Sequence, residues 1–206
     1  MCVVGTDILF YIISLYYRTN FRRDEMRRPD AKSRIIKAFL SLYGSTSINK
    51  IKVSELISKA NCSRRSFYNN YADVFDLEKT LKEEFFKEME EEILSNENRV
   101  NDSALTFFNQ HSDLLLAYTS NENGLEFIKE TAERYIKAQE KNTSNNYNPF
   151  YYKDRYYHII FCLSGFVSCL KCAGGKIEDV DFNQMKSYVD VLNKGFNKKY
   201  LISENV

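Results

Sequence analysis

Two adjacent arginines followed by hydroxyl and amide side chains form the part of this chain best suited to grip another molecule. The run reads Ser63-Arg64-Arg65-Ser66-Phe67-Tyr68-Asn69-Asn70. Arginine can hold guanine bidentately, asparagine can hold adenine, and seryl or tyrosyl hydroxyls suit phosphate oxygens. Lys50 and Lys52 add charge just upstream. The candidate DNA-binding set is therefore Lys50, Lys52, Ser63, Arg64, Arg65, Ser66, Tyr68, Asn69 and Asn70.

Such side chains need a rigid support, and the flanking residues supply one. Val53, Leu56, Ile57 and Ala60 recur at helical spacing, Asn61-Cys62 makes a tight turn, and a second short helix runs from about Ser63 to Tyr71. Ser63 is placed to cap it. Helix, turn and helix make a helix-turn-helix whose small core is Val53, Leu56, Ile57, Cys62, Phe67 and Tyr71, with the polar run outside.

The charge along the chain agrees with a polyanion partner. Residues 26–71 hold ten Lys and Arg against two Asp and Glu, a net +8, whereas residues 72–206 hold 16 against 23, a net −7. The overall +1 hides this division.

Other constellations carry less. His158, Cys162, Cys169 and Cys172 invite a metal reading, but their offsets string them along one face of one helix. Four ligands spread over about 20 Å of axis cannot close round one zinc. With Gly165 they step by 4, 3, 4 and 3, which makes His158, Cys162, Gly165, Cys169 and Cys172 a seam of small residues that another helix can approach, as in a dimer interface. No metal or cofactor is expected. Gly174-Gly175-Lys176 lacks the rest of a phosphate loop, and no catalytic motif with a nucleophile or metal pair occurs, so the chain is not expected to be an enzyme. The five Cys, odd in number and without a spacing framework, point to a reducing, cytoplasmic setting. The longest apolar run near the start, Ile8 to Tyr17, is about half a membrane span.

The rest of the chain reads as helix. Of 206 residues 44% are hydrophobic, and only two Pro interrupt them. Ile35, Ile36, Phe39, Leu40 and Tyr43 form a stripe closed by Gly44. Leu77, Leu81, Phe85, Met89 and Ile93 recur every four residues from a start near Asp73. Polar breaks at Ser95–Asp102, Thr119–Gly124 and Asn142–Pro149 separate further helical stretches, with a last helix over Asp181 to Tyr200. No strand-like alternation is sustained, and the fold class is all-α with about nine helices.

The stretches Ser66-Phe67-Tyr68-Asn69-Asn70-Tyr71 and Asp73-Val74-Phe75-Asp76-Leu77 resemble the end of the helix-turn-helix and the start of the fourth helix in the TetR family of bacterial transcriptional regulators. The resemblance covers about residues 33–80 closely and is architectural beyond. Three positions depart from the family pattern: Asn61 stands at the turn glycine, Asn70 at a phosphate-contacting histidine, and Val74 at a lysine that opens the fourth helix. The resemblance implies a helix-turn-helix domain over residues 26–72 and a helical effector-binding and dimerisation domain over residues 73–206. It implies a homodimer that binds a pseudo-palindromic double-stranded DNA operator and is released, as a repressor, by a small hydrophobic or aromatic effector. Among the body's many rings, Tyr118, Phe127, Tyr135 and Tyr151 are the expected pocket lining, with His111 as a polar contact. The alternative function is a protein-binding adaptor or coactivator of the same fold that no longer binds DNA. Residues 1–25 have no family counterpart; Arg22-Arg23-Asp24-Glu25 can be encoded by a ribosome-binding sequence, so translation is expected to begin at Met26. The rival is an amphipathic arm that tethers the chain to a membrane.

Overall fold

The computed structural model describes residues 30–95, 106–142, 149–174 and 181–201. The expectation about residues 1–25 lies outside them. The architecture is all-α, and no strand occurs among the described residues.

Helix α1 spans Ala31–Tyr43 and buries Ile35, Ala38, Phe39 and Tyr43. Asp30 caps it, its carboxylate accepting from the Ser33 amide at 2.7 Å. The helix ends at Gly44, but not in the left-handed conformation that usually selects glycine there, since φ is −65°. The reason is space: a Cβ on Gly44 would lie 3.3 Å from the Ala117 Cα of the body. A 3-10 turn, Ile48–Lys50, leads into α2 (Val53–Lys59) and α3 (Arg64–Tyr68).

Helix α4 (Val74–Ser95) starts with reciprocal capping. The Asp76 amide donates to the Asp73 carboxylate, and the Asp76 carboxylate accepts from the Ala72 amide, both at 2.8 Å. Its stripe Leu77, Leu81, Phe85, Met89 and Ile93 is buried as the four-residue spacing predicts, with Val74 and Phe86 besides. A short helical piece at 106–110 is followed by α5 (Ser112–Ser120), α6 (Gly124–Asn142), α7 (Pro149–Cys172) and α8 (Phe182–Leu201).

Helices α4 and α6 pack along each other, α6 lies on α7, and α8 on α7. Helix α5 sits between the two halves of the molecule, touching α1 on one side and α6 and α7 on the other. One continuous core links Ile35, Phe39 and Phe67 in the head to Phe85, Leu115 and Leu163 in the body. No helix among the described residues is long and apolar enough to cross a membrane.

Candidate nucleic-acid interface

The head is built from three short elements that could not hold their shape alone. Leu56 and Phe67 are fully buried and Tyr71 almost so, while Val53, Ile57 and Cys62 pack against them at the edge of the core. Asn61 turns the chain with φ +47°, a left-handed conformation that Asn tolerates better than other side chains. Ser63 caps α3, accepting from the Ser66 amide at 3.1 Å. Helix α3 is shorter than its sequence reading, ending at Tyr68 rather than Tyr71. The Asn70 amide folds back onto the Ser66 carbonyl at 2.7 Å and closes the last turn.

Arg34 holds this head together in a way that sequence reading missed. From α1 its Nε donates to the Ala60 carbonyl at 3.0 Å and its guanidinium to the Asn61 carbonyl at 3.3 Å. The C-terminal carbonyls of α2, exposed as the chain turns, thus find a cation across the head. Lys32 is likewise engaged, 3.0 Å from Glu84 of α4. Two of the ten basic residues of the positive segment therefore serve the fold.

The candidate DNA-binding set is largely open to solvent. Lys50, Lys52, Ser63, Arg64, Arg65, Tyr68, Asn69 and Asn70 are exposed and Ser66 is half-buried. Neither Arg64 nor Arg65 makes an ion pair among the described residues. Tyr68 is 54% exposed and steadied by the edge of the buried Phe67 ring, 5.4 Å between centroids. The departing Val74 is buried at the start of α4, pointing to the core and away from any phosphate. Tyr71, at the joint of α3 and α4, keeps a buried hydroxyl with no partner among the described residues. Burial, then Glu84, Asp30 and Asp76, pushes its pKa up to about 12, so it stays neutral.

Of the residues expected to line an effector pocket, Tyr118, Phe127 and His111 belong to one run of ring contacts that passes through Phe85. Tyr118 and Phe127 lie 4.7 Å apart, Phe127 is 5.6 Å from Phe85, and Phe107 is 4.2 Å from His111. Tyr118 donates to the Glu78 carbonyl at 3.0 Å and packs edge-on against Tyr43 of α1, so this stack also braces the head. Tyr135 is buried; the Tyr151 side chain lies outside the described ones. His111 Nε2 is 3.3 Å from the Glu88 carboxylate. Burial pulls the histidine pKa down, and burial, then Glu84 and Glu91, push that of Glu88 up. A surface cleft of about 570 Å³ lies elsewhere, on α4 and α6, lined by Glu90, Arg134, Lys137, Glu140 and Lys141. Sequence periodicity gave no sign of it, since it forms where two wet faces meet.

On α7, Gly165, Cys169 and Cys172 are exposed and His158 and Cys162 half-buried. Cys162 Sγ lies 3.7 Å from His158 Nε2, and burial raises its thiol pKa, which keeps it protonated. A Cβ on Gly165 would meet nothing within 4 Å. Tyr157 and Phe161 of α7 and Tyr188, Val191 and Leu192 of α8 also expose apolar surface, Phe161 and Val191 each at 65%.

No protein-family model and no curated protein matches the chain. Among solved structures it is similar to the dihydroxyacetone kinase operon activator DhaS, with a TM-score of 0.45 and 17% sequence identity, over 81% of this chain and 96% of that one. At that distance the likeness says nothing of what this chain binds.

Proposed function

We propose that this protein is a homodimeric transcriptional regulator that binds double-stranded DNA through α3. The observation that carries the reading is the exposed, unpaired Arg64-Arg65 on a helix whose opposite side, Phe67, is fully buried. The head is rigid enough to present them, being capped by Arg34 and stacked on the body through Tyr43 and Tyr118. One such helix offers too few contacts for a specific site, so a symmetric pair is required. The exposed apolar side chains of α7 and α8, with the open Gly165, supply the surface on which two copies would join.

Regulation by a small apolar or aromatic effector fits the ring stack of α4, α5 and α6. A ligand entering there must part rings already in contact, so its binding and a tilt of α4 would be one event. Five residues separate the end of α3 from the start of α4, and a tilt would alter the spacing of the two α3 helices on DNA. In this proposal the unliganded spacing is the one that fits DNA, so that the effector releases repression.

A second reading, a protein-binding adaptor of the same fold, draws on two observations. The Asn70 amide is engaged with Ser66, and Val74 is buried, so two positions that serve phosphate in the TetR pattern are spent here. Selection of bound fragments from genomic DNA separates the two. The regulator reading expects enriched pseudo-palindromes with half-sites about one helical turn apart and two chains per site. Failure to enrich any duplex would leave the adaptor.

A further inference from the structure

We infer that Arg65 and Asn69 are the base-reading pair, taking a guanine and an adenine in each half-site, while Arg64, Tyr68, Ser66 and Asn70 meet the groove walls. The inference rests on the DNA-binding reading above and assigns roles within it.

The geometry follows from one anchor. Phe67 is fully buried and fixes which side of α3 faces the core. Successive side chains on a helix are turned by about 100°. With the helical turn continued through the cap residue Asn69, whose backbone is right-handed helical, Arg65 and Asn69 lie about 160° and 200° round from Phe67, outward, while the other candidates on or beside α3 fall on its flanks. Arg64 and Tyr68 share one flank; Ser63, Ser66 and Asn70 share the other. A helix laid in the major groove puts its outermost row against the base edges and its flanks against the two sugar–phosphate walls.

Hydrogen bonding inside the head sets one flank of α3 apart. Ser63 and Ser66 hydroxyls bond each other at 3.0 Å, and Ser63 also caps the helix. Asn70 has its amide on the Ser66 carbonyl. The flank carrying these groups is therefore held to its own backbone and suits a fixed backbone contact. Arg65 and Asn69 make no side-chain hydrogen bond among the described residues, and both are exposed. Their donors and acceptors stay free for a base.

The chemistry then names the bases. A guanidinium matches guanine O6 and N7, and a carboxamide matches adenine N6 and N7, each with two hydrogen bonds. The two side chains stand four residues apart, which is about 6 Å of helix rise. At a base-pair rise of about 3.4 Å this spans about two steps. Each half-site should carry a guanine and an adenine no more than about two steps apart, both purines on the strand nearest α3.

The test is selection from a random-sequence duplex library with the full-length protein and its R65A, N69A and R64A variants. All three positions are exposed and alanine suits a helix, so folding is preserved and is checked by circular dichroism. Wild type should select a guanine and an adenine in each half-site. R65A should lose only the guanine preference and N69A only the adenine preference, each by about 5- to 150-fold between matched and mismatched duplexes. R64A should weaken all duplexes alike and keep both preferences. Sites lacking this purine pair, or preferences that R65A and N69A leave in place, would overturn the inference while DNA binding stands. Absence of salt-dependent binding to any duplex would overturn both.

Discussion

The outer face of α3 and the outer face of α7 and α8 are both left in solvent, and they are opposites in chemistry. On α3 the exposed groups are two unpaired guanidiniums, a phenol and carboxamides, set on a helix of five residues. On α7 and α8 they are Tyr157, Phe161, Tyr188, Val191 and Leu192 with an open glycine, set on helices of 24 and 20 residues. A cationic polar face costs nothing in water and exchanges its counterions for a polyanion. An apolar face this large is tolerated on a soluble protein chiefly when something covers it.

The largest effect should come from the apolar face. Gly165→Arg places a long cation where the proposed second copy would lie, and the proposed dimer should give way to monomers in sedimentation velocity. Specific DNA affinity should then fall toward the non-specific level, about 10³-fold or more. A variant still dimeric at micromolar concentration would move the interface elsewhere.

The head should be sensitive at points far from its exposed face. Arg34→Met keeps the alkyl packing and removes the charged donors from the carbonyls of Ala60 and Asn61. A loss of about 1.5–3 kcal/mol of stability in urea denaturation is expected, the usual worth of hydrogen bonds to a charged group. No loss would mean that the α2 carbonyls are as well served by water.

Asn61 sharpens the same point. At φ +47° a valine should cost about 1–2 kcal/mol, whereas Asn61→Gly should be close to neutral. Equal destabilisation by both would show that the side chain, and not the backbone angle, matters there.

The smallest effect is expected in the body. His111 has a folded pKa below its ordinary 6.5 because it is buried. As pH falls through about 6.5 the unfolded chain takes up the proton first, so stability is lost below that pH. Glu88, with a raised pKa, works in the opposite sense and blunts the slope. His111→Phe should therefore flatten the decline of Tm between pH 7 and 5, measured by thermal denaturation. A slope unchanged in the variant would assign the decline to other groups.

Much of this fold could be read from spacing. The Leu77-to-Ile93 stripe, the Ser63 cap and the helix break at Thr119–Gly124 depend on residues near in sequence, and the structure places them as spacing predicts. The links across the molecule could not. Arg34 reaches carbonyls 26 and 27 residues away, Ser47 meets Glu122 at 2.9 Å, and Lys171 of α7 donates to the Thr119 carbonyl of α5 at 2.9 Å. Backbone carbonyls have no side-chain signature, so no pattern in the sequence marks them as partners. Gly44 illustrates a related limit: its presence at a helix end was legible, but the cause, close approach of Ala117, lies 73 residues on. Likewise spacing puts Tyr118, Phe127 and His111 on helices of the body, and only packing shows that Tyr118 meets Phe127 and that His111 meets Phe85 and Phe107.

The central claim, that the free cationic face of α3 is a DNA-binding surface, is tested most directly by a salt titration. The affinity of the full-length protein for a fluorescently labelled mixed-sequence duplex would be measured by anisotropy from about 50 to 200 mM salt. The account predicts that log affinity falls linearly with log salt, and that R64A lowers the slope by about one. Affinity too weak to measure at the lowest salt, or affinity indifferent to salt, would contradict it.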